Sequence, residues 1–204
     1  MAPRTLREVP QLAVLIDSFE QRVQRPKTSK TSKTSKTDKA KSSKAGKAKS
    51  TDPYYSGKKK QHTLKSQVTV NEQDGTFVDI SASVPGPTAD ITLLEDSGVL
   101  QRLPAGVGAL GDLAYLGMDA LHPQGLGATP RRKPRGQERP PQDKVYNQAF
   151  ARRRVLVENS IGRLRRYESL NQMDRHHRHN HQQRVVAVAG LVNRQIRHRL
   201  PCAA

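Results

Sequence analysis

The chain has 204 residues, with 36 Lys and Arg against 18 Asp and Glu, a formal net charge of +18. That length supports one ordinary domain with a core of its own and an appendage, not two well-packed domains. So large a positive excess speaks of a polyanionic partner, with DNA or RNA the leading class, whereas a chain without Trp, with 4% aromatic residues and no long apolar run, has neither a membrane span nor an amphipathic membrane anchor.

The start, Met1 to Glu8, has no apolar segment of the kind that directs export. Cys202 is the single cysteine, which excludes an internal disulfide and a Cys-based zinc site and suits a reducing cytoplasm, close to the nucleoid for a DNA partner. Leu12 to Ile16 is a continuously apolar run ended by Asp17 and Ser18, and it predicts a buried strand with a carboxylate at its C-terminal tip. Residues 1–26 thus hold the first strand. Between residues 27 and 53 the composition collapses to Lys, Ser, Thr, Ala and Gly, with three Thr-Ser-Lys units at 28 to 36, and predicts a disordered basic insert.

Order is expected to resume at Tyr54 and to run to about residue 200. Leu64, Val68 and Val70 alternate with Lys65, Gln67 and Thr69, the period of a half-buried strand. Asp74 and Gly75 supply a tight turn, and Val78, Ile80, Ala82 and Val84 alternate beyond it, so the two runs predict an antiparallel hairpin stopped at Pro85, Gly86 and Pro87. Thr88 or Asp90 then caps a helix that carries Ile91, Leu94 and Leu100, with Gly98 weakening its end. Val107 to Leu110 is a second apolar run leading into Gly111 and Asp112, again a strand with a carboxylate at its tip. The stretch from His122 to Pro141, rich in Pro, Gly and Arg, has room for one short strand near Ala128 to Pro130. From Gln142 to Leu170 the period becomes 3.6, with Phe150, Val157, Ile161 and Leu164 on one stripe, and a final helix from about Gln183 to Ile196 aligns Val185, Val188, Val192 and Ile196. Strands followed by helices in this order predict an α/β fold, a mixed sheet flanked by helices.

Charge follows the same divisions. Residues 61–130 carry a net charge of −6 between a segment of +10 at 27–60 and one of +13 at 131–204. An acidic middle has little use in a protein that only coats nucleic acid, but it is needed by one that loads divalent cations beside bound phosphates. Asp17 and Asp112 are the first candidates, because carboxylates are the ligands Mg²⁺ prefers and both follow buried strands; the alternative is that each caps a turn. Glu158 lies 46 residues after Asp112 on the long helix. At roughly 100° per residue, Arg154, Glu158 and Arg165 fall within about 40° of one another. That face presents either a solvated i, i+4 salt bridge or a metal-binding carboxylate between two phosphate-gripping guanidinium groups.

The segments LIDSFEQRVQRP, YYSGKKKQHTLKSQVTV, VPGPTADITLL, LGDLAYLG and RRRVLVENSIGRLRRYESL, in this order, resemble the successive motifs of bacterial insertion-sequence transposases of the DDE endonuclease group, relatives of the Harbinger transposases. VVAVAGLVNRQI resembles the closing helix of that group. The resemblance implies an RNase H-like fold and a DNA-cutting and strand-transferring activity with two Mg²⁺ or Mn²⁺ ions. Residue by residue it implies Asp17, Asp112 in Gly-Asp-x-x-Tyr and Glu158 in Arg-x-x-x-Glu as catalytic and metal-binding acids, with Arg165 where Lys is common. It implies DNA, both element ends and target, as partner, and is compatible with a homo-oligomer. The sequence departs from the pattern at Ser18, where Gly is usual, and at Ala89, where a His often precedes the acid matching Asp90. Relatives commonly begin with a helix-turn-helix region, so a separately encoded part of that kind is an expected partner; a truncated, inactive remnant and a non-catalytic basic DNA-binding protein are the alternatives.

Lys58, Lys59 and Lys60 adjoin a predicted strand and, with Arg154 and Arg165, are the expected DNA contacts. His176, His177, His179 and His181 have a spacing that fits no common zinc pattern, and they are assigned to a solvated polar connection.

Overall fold

A computed structural model describes residues 12–25 and 53–199; the basic insert expected between residues 27 and 53 lies outside the described residues, apart from Pro53. The first strand, β1, runs Ala13–Arg22. It is twice as long as its apolar run, so Asp17 sits in its middle and not at its tip. The reason is pairing. The polar second half, Ser18 to Arg22, stays extended because it matches Gln67 to Thr63 of β3 (Gln61–Asn71) residue for residue in an antiparallel ladder.

Six further strands complete the sheet. β2 (Tyr55–Ser56), β4 (Phe77–Ile80) and β5 (Val84–Pro85) all pair antiparallel with β3, while β6 (Gly108–Leu110) runs parallel to β1 and β7 (Gly127–Ala128) parallel to β6. The order is β2-β3-β1-β6-β7, with β4 and β5 on the β3 edge away from β1. This is a mixed, RNase H-like sheet. The expected hairpin turns at Asp74, whose Oδ1 accepts hydrogen bonds from the Thr76 amide and hydroxyl at 2.8 and 2.7 Å, but its second arm, expected as one run from Val78 to Val84, is split into β4 and β5, with Phe77 buried and Val78 exposed.

β3 differs from expectation. Alternation predicts a half-buried strand, yet every residue from Thr63 to Val70 is buried. The cause is a second helical layer. Lys65 and Gln67 face α1 (Asp90–Ser97), where Lys65 Nζ donates to the Thr88 carbonyl at 2.6 Å and the Gln67 amide to Ser97 Oγ at 3.4 Å. Burial of polar side chains is tolerated where hydrogen bonds replace water.

Neither Thr88 nor Asp90 caps α1. Its N-cap is Ala89, with no side-chain cap, and Asp90 is its first residue; Gly98 ends it in the left-handed conformation at φ 60°. Leu100 belongs to a separate turn, α2 (Val99–Arg102). Beyond β6, a 3₁₀ turn (Leu113–Tyr115) and α3 (Met118–Leu121) lead to β7.

The long helix, α4 (Pro141–Leu164), ends six residues before the expected Leu170, which sits in its own turn, α5 (Glu168–Asn171). Breaking at Arg165 lets Leu164 and Leu170 both enter one core. That core also takes Leu15, Phe19, Val68, Phe150, Val157 and the stripe of α6 (His181–Arg199) formed by Val185, Val188, Val192 and Ile196. On the opposite face of the sheet, Val14, Ile16, Leu94, Leu100, Ala109, Tyr115 and Met118 form a second core. β1 therefore separates two cores, odd residues toward α4 and α6, even residues toward α1.

Candidate functional site

The parallel pairing of β1 with β6 ends at Leu15 opposite Leu110. Asp17 and Asp112 each lie two residues beyond that pair, so equal steps along neighbouring strands carry both carboxylates to the same level of the sheet, where β6 has ended and β1 runs on. Gly111 makes the approach of Asp112 feasible. A Cβ there would meet Tyr115 side-chain atoms at 2.8 to 2.9 Å, so a larger residue would displace the turn on which Asp112 sits. Asp112 Oδ1 accepts from the Ala114 amide at 2.8 Å and caps the 3₁₀ turn, while its second oxygen has no protein hydrogen bond among the described residues. The turn-capping alternative and the site reading thus use different oxygens of one side chain.

Asp17 points toward α4 and is largely buried. Oδ1 accepts from the Ser18 amide at 2.7 Å, and Oδ2 from Arg154 Nη2 at 3.2 Å. Burial raises its pKa above the ordinary carboxylate value; the Ser18 amide and the Arg154 charge pull it back, and the nearby negative charge of Asp112 pushes it up again. The net direction is upward. Asp17 is thus a carboxylate whose negative charge the protein under-compensates.

Glu158 is reached through Arg154. The same Nη2 lies 3.8 Å from Glu158 Oε1, so the Asp17 and Glu158 oxygens are no further apart than the sum of those two distances. Glu158 is 60% exposed, and Arg154 stands between the two acids. Among the described residues no three His, Cys, Asp or Glu side chains are grouped as a metal site. The donor chemistry nonetheless suits a hard divalent cation: three carboxylates from β1, the end of β6 and α4, two at one level of the sheet and the third tied to Asp17 by a single guanidinium.

Behind Asp17, on the α1 face, lies a group that sequence reasoning missed. Ser18 Oγ donates to Asp90 Oδ1 at 2.6 Å, and Lys65 Nζ reaches the same oxygen at 3.0 Å. The buried Tyr115 hydroxyl lies close to Ser18 without a well-shaped hydrogen bond, and burial, followed by the charges of Asp90 and Asp17, pushes it far above its ordinary range. The available signal was the family pattern, which marks Ser18 and Asp90; that Lys65 joins them follows from the cross-strand register of Glu20 with Lys65 and Ser18 with Gln67, which alternation alone does not supply.

Lys59 and Arg165, 106 positions apart, line one cleft of about 370 Å³ together with Glu20, Arg22, Gln61 and Asn171. Lys58 and Lys60 are exposed in the same β2–β3 turn. Arg154 is directed instead at Asp17. Of the four histidines, His176, His177 and His179 are exposed but His181 is fully buried. Its Nε2 donates to Gln21 Oε1 at 2.9 Å and its Nδ1 accepts from Ser83 Oγ at 2.6 Å, while Gln21 Nε2 donates to the carbonyls of Ser169 and Gln172. The assignment of His181 to a solvated connection is corrected accordingly. Burial lowers its pKa to about 4, so it is neutral near pH 7.

A mixed sheet in this strand order, with one acid within β1, a second just past the end of the parallel neighbour β6 and a third on a covering helix, defines an RNase H-like domain. The chain matches the family model described as DDE superfamily endonuclease over residues 16–193, and it belongs to that family. It is similar to a protein of Microchaete diplosiphon described as "Probable transposase for insertion sequence element IS702", with 28% identity over 148 residues, 72% of this chain and 52% of that protein. The chain therefore spans about half the length of this relative. No solved structure matches it. No helix among the described residues is long and apolar enough to cross a membrane.

Proposed function

We propose that this chain is the catalytic part of an insertion-sequence transposase, cleaving DNA strands at element ends and transferring them with Mg²⁺ or Mn²⁺, two ions per site, held by Asp17, Asp112 and Glu158. The observation that carries the reading is the in-register placement of Asp17 and Asp112 beyond the Leu15–Leu110 pair, with Glu158 brought to Asp17 by Arg154. When bound, such ions offset charge on the transferring phosphoryl group and activate the attacking oxygen. Asp17 is suited to them because burial leaves its charge costly without a cation. Ser18, Asp90 and Lys65 hold β1 from behind, so that Asp17 is fixed by the fold and not by its ligands. Lys59 and Arg165 line one cleft bordered by the second half of β1, where they are placed to grip backbone phosphates, with Lys58 and Lys60 exposed in the adjoining turn. Recognition of the ends by a separately encoded helix-turn-helix part belongs to the same reading.

The test is nicking of duplex DNA bearing the element ends, with Mg²⁺ or Mn²⁺, by wild type and by Asp17→Asn, Asp112→Asn and Glu158→Gln. Each variant is expected to retain DNA binding and to lose cutting. Undiminished cutting in any one removes that residue from the site. A wild-type chain that binds DNA and never cuts it, under either metal, would replace this reading with that of a non-catalytic DNA-binding protein or inactive remnant.

A further inference from the structure

The seam where the end of α4 meets the end of α6 carries charge that the carboxylate site does not use. Two adjoining grooves lie there, about 300 and 450 Å³ in volume, and they share Tyr167, Gln195 and Arg199; Arg163 and Arg166 line one, Arg194 the other. Their floor is firm. Gln195 Nε2 donates to the Tyr167 hydroxyl at 3.0 Å, and Ile196 and Val192 are anchored in the core. No carboxylate lines either groove, and none of the four arginines has an acidic partner within salt-bridge distance among the described residues. Some arginines elsewhere do meet an acid, as Arg131 meets Asp143, Arg153 Glu72 and Arg184 Asp174; what sets the seam apart is four guanidinium groups on two adjoining grooves that no carboxylate lines. Cations near helix C-termini are favoured by the helix dipole, but that effect is worth less than about 1 kcal/mol at a surface and does not call for four guanidinium groups on one seam. Held together without acids, they repel one another.

On α4, Arg163 lies about 140° around the helix from Glu158. The seam therefore looks away from the face on which Arg154 and Glu158 meet Asp17. We propose that this seam is a second DNA track, which binds the phosphate backbone of a duplex segment other than the one engaged at the carboxylates. Guanidinium groups suit this ligand because they pair with phosphate oxygens bidentately, and repetition of the charge along a groove suits a polymer over a single ion. Readout of base sequence is not expected from such contacts.

The test measures binding of a random-sequence, fluorescent 20-base-pair duplex to the full chain, without divalent metal, over a range of NaCl. The variants are R166Q/R194Q/R199Q and R166K/R194K/R199K. The Gln triple is expected to weaken binding more than tenfold at low salt and to reduce the slope of log K against log[NaCl] by about 2 to 3, on the scale of 0.9 per phosphate contact. The Lys triple is expected to keep most of the slope. Both should melt no lower than wild type, because no ion pair is lost. A K58Q/K59Q/K60Q variant that still carries the additional slope assigns it to the seam and not to the cleft. Unchanged affinity and slope in the Gln triple would overturn the proposal, as would equal loss of binding by the Lys triple, or selective binding of an acidic polypeptide over the duplex.

Discussion

Two carboxylates, Asp17 and Asp90, lie on opposite sides of the same strand and are treated in opposite ways. Asp90 receives a serine hydroxyl and a lysine ammonium on one oxygen, and its neighbour Lys65 is itself closed off by the Thr88 carbonyl. Asp17 receives one amide and one arginine that it shares with Glu158, and its pKa is raised despite both. The difference separates an acid that the fold neutralises for its own sake from one that it compensates less fully, as the proposed metal site requires. Acids whose pKa the fold shifts upward collect at working sites for this reason.

The largest effect that sharpens this contrast is on catalysis. Asp17→Asn and Asp112→Asn should each lower metal-dependent nicking by about a hundredfold or more, the scale of losing an electrostatic group at a phosphoryl centre. Asp90→Asn, assayed where it remains folded, should keep nicking within about tenfold of wild type, since Asp90 touches Ser18 and Lys65 and not the proposed ligands.

Stability should then reverse the order. Lys65→Met strands a partly buried carboxylate and should cost about 3 kcal/mol in urea denaturation, less when combined with Asp90→Leu, because breaking one half of a buried pair costs more than replacing both. Asp17→Asn should do the opposite and raise the melting temperature in metal-free buffer near pH 7. The sign follows from the raised folded pKa: the native state holds the proton more tightly than the unfolded chain, so ionised Asp17 subtracts stability as pH rises through 3.8 and above. A lower melting temperature for Asp17→Asn would break the contrast.

A smaller effect comes from His181, a fully buried imidazole. Its folded pKa of about 4 lies below the 6.5 of an unperturbed imidazole, so the unfolded chain binds the extra proton between those values. Stability should fall as pH drops from 6.5 toward 4, and His181→Gln should remove that part of the slope in a pH series of urea melts.

What the sequence revealed and what it concealed follow from range. Periodicity identified β3, α4 and α6, because a core face repeats within one element, and apolar runs marked β1 at Leu12 and β6 at Val107; the alternation from Val78 to Val84 located β4 and β5 but not their break or the exposure of Val78. It did not show that β1 continues to Arg22, since those residues are extended only through pairing with β3. It did not show that β3 is buried on both faces, which depends on Thr88, 23 residues away, and the helix α1 that follows it meeting Lys65 and Gln67. His181 looked solvated beside His176, His177 and His179, and only the long-range contacts with Gln21 and Ser83 bury it. Spacing and resemblance point to Asp17, Asp112, Glu158, Arg154 and Arg165 as candidates, and position beside a strand points to Lys58, Lys59 and Lys60. That Arg154 would lie between Asp17 and Glu158 required the crossing of α4 over β1.

The most direct test of the contrast is Mn²⁺ binding itself, followed by electron paramagnetic resonance of the free ion in wild type, Asp17→Asn, Asp112→Asn and Asp90→Asn. Wild type and Asp90→Asn should bind Mn²⁺ alike, while Asp17→Asn and Asp112→Asn lose at least one of two ions or weaken both more than tenfold. Equal binding by all four proteins, or a loss confined to Asp90→Asn, would contradict the account.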